Sequence, residues 1–217
     1  MTRILTGAVS GLGRIMGISK PEILGKEHFL NGLKKISEKF SYDLNYEENE
    51  NKMYGLRYDL IKKYFGKEDQ LVTWLSEVIS DSTKRGVNDI KYKCQAINCF
   101  KHFYHRENIE LFINCLSDDS PSIREAAILT IGQAYNRDKE RVLPLLIKQL
   151  NDPNFQVCEA AITALKYIGG KEGYNALHEF SKDYSPDKLW SNRQALLAMA
   201  EILWKQSISS TPTENQS

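Results

Sequence analysis

The segment NIELFINCLSDDSPSIREAAILTIG, residues Asn108–Gly132, recurs 34 residues later as VLPLLIKQLNDPNFQVCEAAITALK, residues Val142–Lys166. The two copies align without a gap, and each carries the letters EAAI at the same place, at 125–128 and 159–162. A fainter third copy, DKLWSNRQALLAMAEIL (Asp187–Leu203), follows at an offset of 35. Self-similarity at a fixed period of this length predicts a chain built of stacked structural repeats.

Each copy has the pattern of two amphipathic helices joined by a polar turn. In the first copy Ile109, Phe112 and Leu116 form an apolar stripe at helical spacing. The letters SDDSP then supply turn formers, and Pro121 suits the first turn of the next helix. That second helix directs a stripe of small and apolar side chains inward, at Ile123, Ala126, Ala127, Thr130 and Ile131. A single pair cannot bury both of its faces, so neighbouring pairs must stack and share a core.

An aspartate followed six residues later by an arginine recurs within this pattern. Together with the apolar spacing, it resembles the HEAT repeat family in its shorter bacterial form, the type found in phycobilin lyases. The resemblance implies a ladder of hydrogen bonds between adjacent repeats, whose members here are Asp118, Arg124, Asp152, Asp187 and Arg193. The second copy has Cys158 where the arginine is expected, so we expect the ladder to be interrupted there. Tetratricopeptide repeats share the period of 34, but their signature positions are not met.

The pattern as a whole predicts an all-α fold, a right-handed α-α superhelix in which seven to ten helices stack as antiparallel pairs. Upstream of the clear copies, apolar periodicity predicts three further helices, over 53–64, 71–79 and 90–104. The acidic, polar stretch SYDLNYEENEN (Ser41–Asn51) predicts a loop.

These patterns divide the chain into three parts. Residues 26–205 are expected to form the solenoid, with degenerate repeats or a cap over 26–106 and clear HEAT-like repeats over 107–205. Residues 206–217 are polar and are predicted to be a disordered tail. Residues 1–25 are predicted to be flexible or marginally helical. A segment that docks on the solenoid, an arm that touches a membrane and an organelle transit peptide all stay open for them.

The N-terminal letters LTGAVSGLGR (Leu5–Arg14) resemble the glycine-rich turn of short-chain dehydrogenases, which binds a cofactor pyrophosphate. The surroundings do not fit, because Pro21 comes early for a crossover helix and a helical pattern follows where the second strand should be. The Tyr-x-x-x-Lys pair of that family occurs four times in this chain and therefore discriminates nothing. We reject the dehydrogenase interpretation.

The overall composition excludes several classes of protein. A net charge of +1 and a pI near 7.6 give no global attraction to nucleic acid or to acidic membranes. The four cysteines are scattered without a CxxC pair, which is typical of reduced thiols in a cytoplasmic protein. No apolar run approaches the roughly 18 residues that a transmembrane helix needs. We expect a cytoplasmic protein without a transmembrane segment.

One basic helix offers an alternative function, a nucleic-acid-binding module that uses residues 90–106. The stretch IKYKCQAINCFKHFYHRE (90–107) interleaves aromatic residues with four cations that are candidates for phosphate binding, Lys91, Lys93, Lys101 and Arg106. The competing interpretation is an ordinary solvated helix face, which the near-zero net charge favours.

Cys94, Cys99, His102 and His105 lie in the same stretch, but on one helix they do not converge as tetrahedral zinc requires. We predict no metal.

A polar stripe runs along the second helices, opposite the buried stripe. In a solenoid such stripes fall side by side on the concave surface. We call this set the concave row and predict that it contacts a protein partner. It comprises Glu125, Leu129, Gln133, Glu159, Thr163, Lys166, Gln194 and Glu201.

These features favour a non-enzymatic adaptor that binds a protein partner on its concave face, without a cofactor. No nucleophile elbow, zinc-protease motif or phosphate-binding loop occurs, and we assign no catalytic residue. The HEAT resemblance leaves two kinds of enzyme open, an alkylpurine DNA glycosylase type and a phycobilin lyase type. The tryptophans cannot be mapped onto a glycosylase site, and we expect Trp190 and Trp204 in the core or in a cap. The identity of the partner and the oligomeric state stay undetermined.

Overall fold

The computed structural model describes residues 25–39, 46–102, 108–134 and 138–209. These ranges contain no strand, so the predicted all-α class is confirmed over the part of the chain they cover. Short 3-10 turns lie at Phe100–His102 and Pro186–Lys188. Ten α-helices make up the rest of the regular structure in the described residues: α1 Lys26–Lys39, α2 Tyr46–Lys62, α3 Glu68–Ser80, α4 Val87–Cys99, α5 Ile109–Cys115, α6 Pro121–Ala134, α7 Lys139–Gln149, α8 Phe155–Ile168, α9 Gly170–Phe180 and α10 Leu189–Ser209.

The helices stack in two rows. Four inner helices, α4, α6, α8 and α10, each pack on the next, and α1 extends this row by packing on α4. The outer helices α3, α5, α7 and α9 each pack on the inner helix that follows them in the chain, while α2 packs on α1 and α4. Because every pair buries its apolar faces against adjoining pairs, the predicted helical-repeat solenoid is confirmed.

Small residues let the inner helices approach one another closely. The paired alanines of both EAAI segments are buried between helices, as the repeat pattern predicts. At Gly132 of α6 an added Cβ would lie 2.6 Å from the Cβ of Ala164 in α8 and 2.8 Å from its Cα. Only glycine therefore fits at this crossing unless the two backbones separate.

A double glycine makes the sharp connection between α8 and α9. Gly169 and Gly170 have φ angles of 63° and 75°, in the left-handed region that side chains disfavour. The Gly169 N–H donates to the Leu165 carbonyl at 2.9 Å and so closes the end of α8. The outer helix of the next pair can therefore begin with only Gly169 between it and the end of the inner helix.

Two predicted boundaries differ from the structure. The stretch Ser41–Asn51 was expected to be a loop, but its residues 46–51 belong to α2. Glutamate is a good helix former and favours the first turn of a helix, which explains why a polar, acidic stretch is helical here. At the other end α10 continues through Ser209, beyond the predicted limit at 205. The glycine-rich segment Leu5–Arg14 and the rest of 1–24, like 210–217, lie outside the described residues.

Candidate functional site

The concave row lies on three successive inner helices. Three of its members belong to α6, three to α8 and two to α10. None of the eight is buried, since each keeps part of its side chain in contact with solvent. The row therefore places accessible side chains on each of these three inner helices.

The row deepens into a groove where α8 and α10 lie side by side. The groove has a volume of about 280 Å³. Five of the eight predicted residues line it, namely Glu159, Thr163, Lys166, Gln194 and Glu201. The other lining residues are Ile162, Trp190, Leu197 and Ala198. The three members on α6 lie outside this groove.

Polar contacts hold the walls of the groove in place. The Lys166 ammonium lies 3.3 Å from a carboxylate oxygen of Glu201, so the pair bridges α8 and α10. The indole N–H of Trp190 donates to the Glu159 carboxylate across the same gap. The groove thus carries two carboxylates against one ammonium and is acidic by one charge. Its apolar surface comes from Ile162 of α8 and from Trp190, Leu197 and Ala198 of α10.

Trp190 and Trp204 are exposed, so of the two places expected for them, the core or a cap, the core is wrong. Their exposed fractions are 56% and 67%. Trp190 lies four residues before Gln194 and seven before Leu197, so all three share one face of α10. This spacing, rather than the local apolar composition, is the signal that would have placed Trp190 in the groove. Trp74, by contrast, is half-buried and its ring packs 6.1 Å from that of Tyr64.

Arg124 forms a rung between the first two clear copies. Its Nε and Nη2 donate to the two carboxylate oxygens of Asp152, both at 2.8 Å, and its Nη1 donates to the Asp118 carbonyl at 2.8 Å. Burial raises the pKa of Asp152, but hydrogen bonds from Arg124 and from the Asn154 N–H outweigh it and hold that pKa below its usual range. The hydrogen bond to Asp152 raises the pKa of Arg124 in turn. The contact is structural and leaves no group free for chemistry.

The other ladder positions behave differently. Cys158 donates from its Sγ to the Leu150 carbonyl at 3.2 Å, within its own repeat. The Asp118 carboxylate accepts the Ser120 N–H at 2.9 Å and shapes the turn. Arg193 is exposed on α10, and the side chain of Asp187 lies outside the described residues.

The cations of the basic helix do not form one open strip. Lys93 is buried, and its ammonium donates to the Asp81 carbonyl at 2.7 Å, where no phosphate can reach it. Lys91 and Lys101 are half-buried, and Arg106 lies outside the described residues. The structure therefore brings together no basic surface from the residues of this set that it describes.

The cysteines and the described histidine of the same region are enclosed by the fold. Burial raises the pKa of both Cys94 and Cys99 to about 12, so these thiols stay protonated. Burial, aided by the charges of Arg57 and Lys101, lowers the pKa of His102 to about 4. Among the described residues no group of three or more His, Cys, Asp or Glu side chains is placed to hold a metal ion. His105 lies outside those residues.

Two rows of antiparallel helices with a rung between adjacent pairs define the class of protein, an α-helical repeat solenoid. Within that class, a family model described as HEAT repeats matches residues 85–165. Residues 85–165 are therefore similar to HEAT repeats, and the resemblance inferred from the sequence is confirmed over them. No curated protein matches the chain. In the described part of the chain no helix is long and apolar enough to cross a membrane.

Two solved structures are similar to this chain. One, from a study of microtubule plus end tracking by XMAP215, CLIP-170 and EB1, is 17% identical, with 97% of this chain and 86% of that chain covered and a TM-score of 0.45. The other is a designed armadillo repeat protein in complex with a (KR)4 peptide, 18% identical, with 90% and 92% covered and a TM-score of 0.46. Both are helical repeat proteins, and the likeness carries no statement about function.

Proposed function

We propose that this protein is a non-enzymatic intracellular adaptor that holds a protein partner in the groove between α8 and α10. The observation that carries the proposal is the groove itself, an accessible depression at the meeting point of two repeats. Clefts of this kind between rigid helices are where solenoids contact partners, so the step from groove to partner is an analogy between folds.

The chemistry of the groove suits a segment of another protein. Trp190 and Leu197 offer apolar surface, and tryptophan is enriched among the residues that dominate binding energy at interfaces. Glu159 and Glu201 add carboxylates at either side. A partner side chain with an aliphatic stem and a cationic end, such as lysine or arginine, would lie along the apolar surface of Trp190 and Leu197 and reach a carboxylate.

The buried thiols support the intracellular part of the proposal. All four cysteines are free and buried. Disulfides form and persist in oxidising compartments, whereas free cysteines are usual in reducing ones. We therefore assign the four cysteines to the core and give them no reactive role.

Site-specific photo-crosslinking tests the proposal. A photoreactive amino acid replaces Thr163 inside the groove, and the protein is exposed to native extract under light. We expect one or a few partner proteins to crosslink at this position. A matched probe replaces Lys148 or Lys171, which are exposed on the outer helices α7 and α9. We expect neither outer probe to yield the same products.

A charge variant adds the energetic test. Glu159→Lys reverses a charge in the groove and removes the acceptor of the Trp190 N–H, so we expect roughly tenfold weaker capture of the crosslinked partner. Glu140→Lys, an equal charge change on the outer helix α7, serves as the control and leaves capture unchanged. Equal crosslinking from groove and outer positions, or equal capture by both charge variants, would contradict the proposal.

A further inference from the structure

The last inner helix exposes a stacking face that its predecessor buries. With the offset of 35, Ala161 and Ile162 of α8 correspond to Leu196 and Leu197 of α10. The α8 residues are 0% and 2% exposed, whereas the two leucines are 56% and 54% exposed. In α8 these positions are covered because a further helix pair follows, and no described helix follows α10. The last described helix therefore presents the surface that repeats use to bind one another.

The exposed face follows a heptad spacing. Three leucines recur every seven residues, and a parallel stripe of large apolar side chains accompanies them one position later. Terminal repeats of solenoids normally carry a polar outer face, so this apolar one needs an occupant. The exposed residues are Leu189, Leu196 and Leu203 in the first stripe and Trp190, Leu197 and Trp204 in the second.

The charges on this face are arranged symmetrically about Leu197. Arg193 lies four residues before it and Glu201 four residues after it, about 6 Å away along the helix on either side. Trp190 and Trp204 lie seven residues before and after it. When two identical helices cross antiparallel at Leu197, each arginine therefore meets the partner's glutamate. In the same way, the tryptophan before Leu197 meets the partner's tryptophan that follows it. The face is complementary to itself, as a twofold interface requires.

The position of Arg193 also supports this antiparallel pairing. It occupies the position at which Arg124 of the first copy reaches across to Asp152 of the next repeat. Arg193 is exposed and lies in the middle of the apolar face. Glu201 already lies 3.3 Å from Lys166, so an incoming guanidinium would join an existing ion pair.

We propose that the α10 face binds a second copy of this chain, so that two solenoids join end to end in an antiparallel, twofold dimer through Leu189, Leu196, Leu197 and Leu203. The contact overlaps the groove, because Trp190, Leu197 and Glu201 line it, but Leu196 and Leu203 do not, so substitutions at these two leucines report on dimerisation without altering the lining of the groove.

Sedimentation equilibrium of the whole chain tests the proposal. The protein concentration is varied from about 1 µM to about 100 µM, the range expected for dissociation of an interface made by one helix pair. We expect a monomer–dimer equilibrium for the wild type. The double variant L196D/L203D is expected to stay monomeric throughout, with unchanged circular dichroism. The matched control F65D/F155D alters two exposed aromatic residues elsewhere and is expected to dimerise like the wild type.

A charge swap tests the register. R193E sets two glutamates against each other and is expected to weaken dimerisation about tenfold or more, while R193E/E201R is expected to restore it to within about threefold of wild type. A wild type that stays monomeric at every concentration would overturn the proposal and leave further repeats or another protein as the occupant. Dimerisation that survives L196D/L203D, or a swap that restores nothing, would overturn it equally.

Discussion

Removing the rung between Arg124 and Asp152 should reveal how firmly adjacent repeats are joined. The two side chains are 13% and 7% exposed, and the guanidinium makes two hydrogen bonds to the carboxylate and one to the Asp118 carbonyl. Arg124→Met keeps most of the volume but leaves the carboxylate and that carbonyl without these donors. Breaking one side of a buried pair costs about 3–5 kcal/mol, so we expect about 3 kcal/mol of lost stability, since the Asn154 N–H still serves the carboxylate.

A double-mutant cycle in urea at pH 7 separates the pair from its surroundings. R124M, D152N and the double variant are compared with wild type by their free energies of unfolding. We expect the double variant to lose less than the sum of the single losses, by about 1–3 kcal/mol. K182A, which breaks an exposed pair with Glu179, is the control and should leave stability unchanged. Single losses that simply add would refute the claim that the rung couples the repeats.

The same pair predicts a pH dependence. The folded-state pKa of Asp152 lies below the usual value of 3.8. Its contribution is therefore fully present above that usual value and is lost as the pH falls through the lowered folded pKa. We expect the stability difference between wild type and D152N to be constant from pH 7 down to about pH 5 and to shrink below pH 4. A difference that shrank near pH 6 would point to a different titrating group.

Three further predictions concern the fold. Gly132→Ala should destabilise the protein by about 1–2 kcal/mol in urea unfolding, because overpacking against the Ala164 backbone outweighs the better helix propensity of alanine. Gly55→Ala in α2 is the control: an added Cβ there has no neighbour within 4 Å, so the variant should be neutral or more stable by up to about 1 kcal/mol. Gly169→Ala should cost about 1–3 kcal/mol by the same measurement, because its φ of 63° with ψ of −155° is open to glycine alone, and an unchanged midpoint would show that the turn relaxes. The Cys99 thiol, whose pKa burial raises to about 12, should react with a thiol reagent at pH 8 only after unfolding, and rapid labelling of the native protein would contradict its burial.

The repeat architecture could be predicted because it depends on features that the sequence carries locally. Helical periodicity, paired alanines and a fixed offset all point to the same stack, and each is visible within one copy. The partner of Arg124 could also be anticipated, since a ladder joins equivalent positions of neighbouring copies. The fold of this chain is thus encoded redundantly over short distances.

Features that depend on contacts across helices were harder to predict. Arg57 looks like a surface residue of an amphipathic helix, yet it is fully buried and donates to the Gln95 side chain at 2.7 Å. Lys93 turns inward to a carbonyl that belongs to the preceding loop. Trp190 is apolar and still exposed, because no described helix covers α10. Each case depends on whether a neighbour from another part of the chain is present, and periodicity carries no information about that neighbour.

Hydrogen–deuterium exchange with and without the captured partner tests the central claim most directly. Partner binding in the groove should slow exchange in peptides covering 159–166 of α8 and 190–201 of α10. Exchange in the outer helices α7 and α9 should stay as it is in the free protein. Protection confined to the outer helices, or spread equally over both rows, would contradict the assignment of the groove as the binding surface.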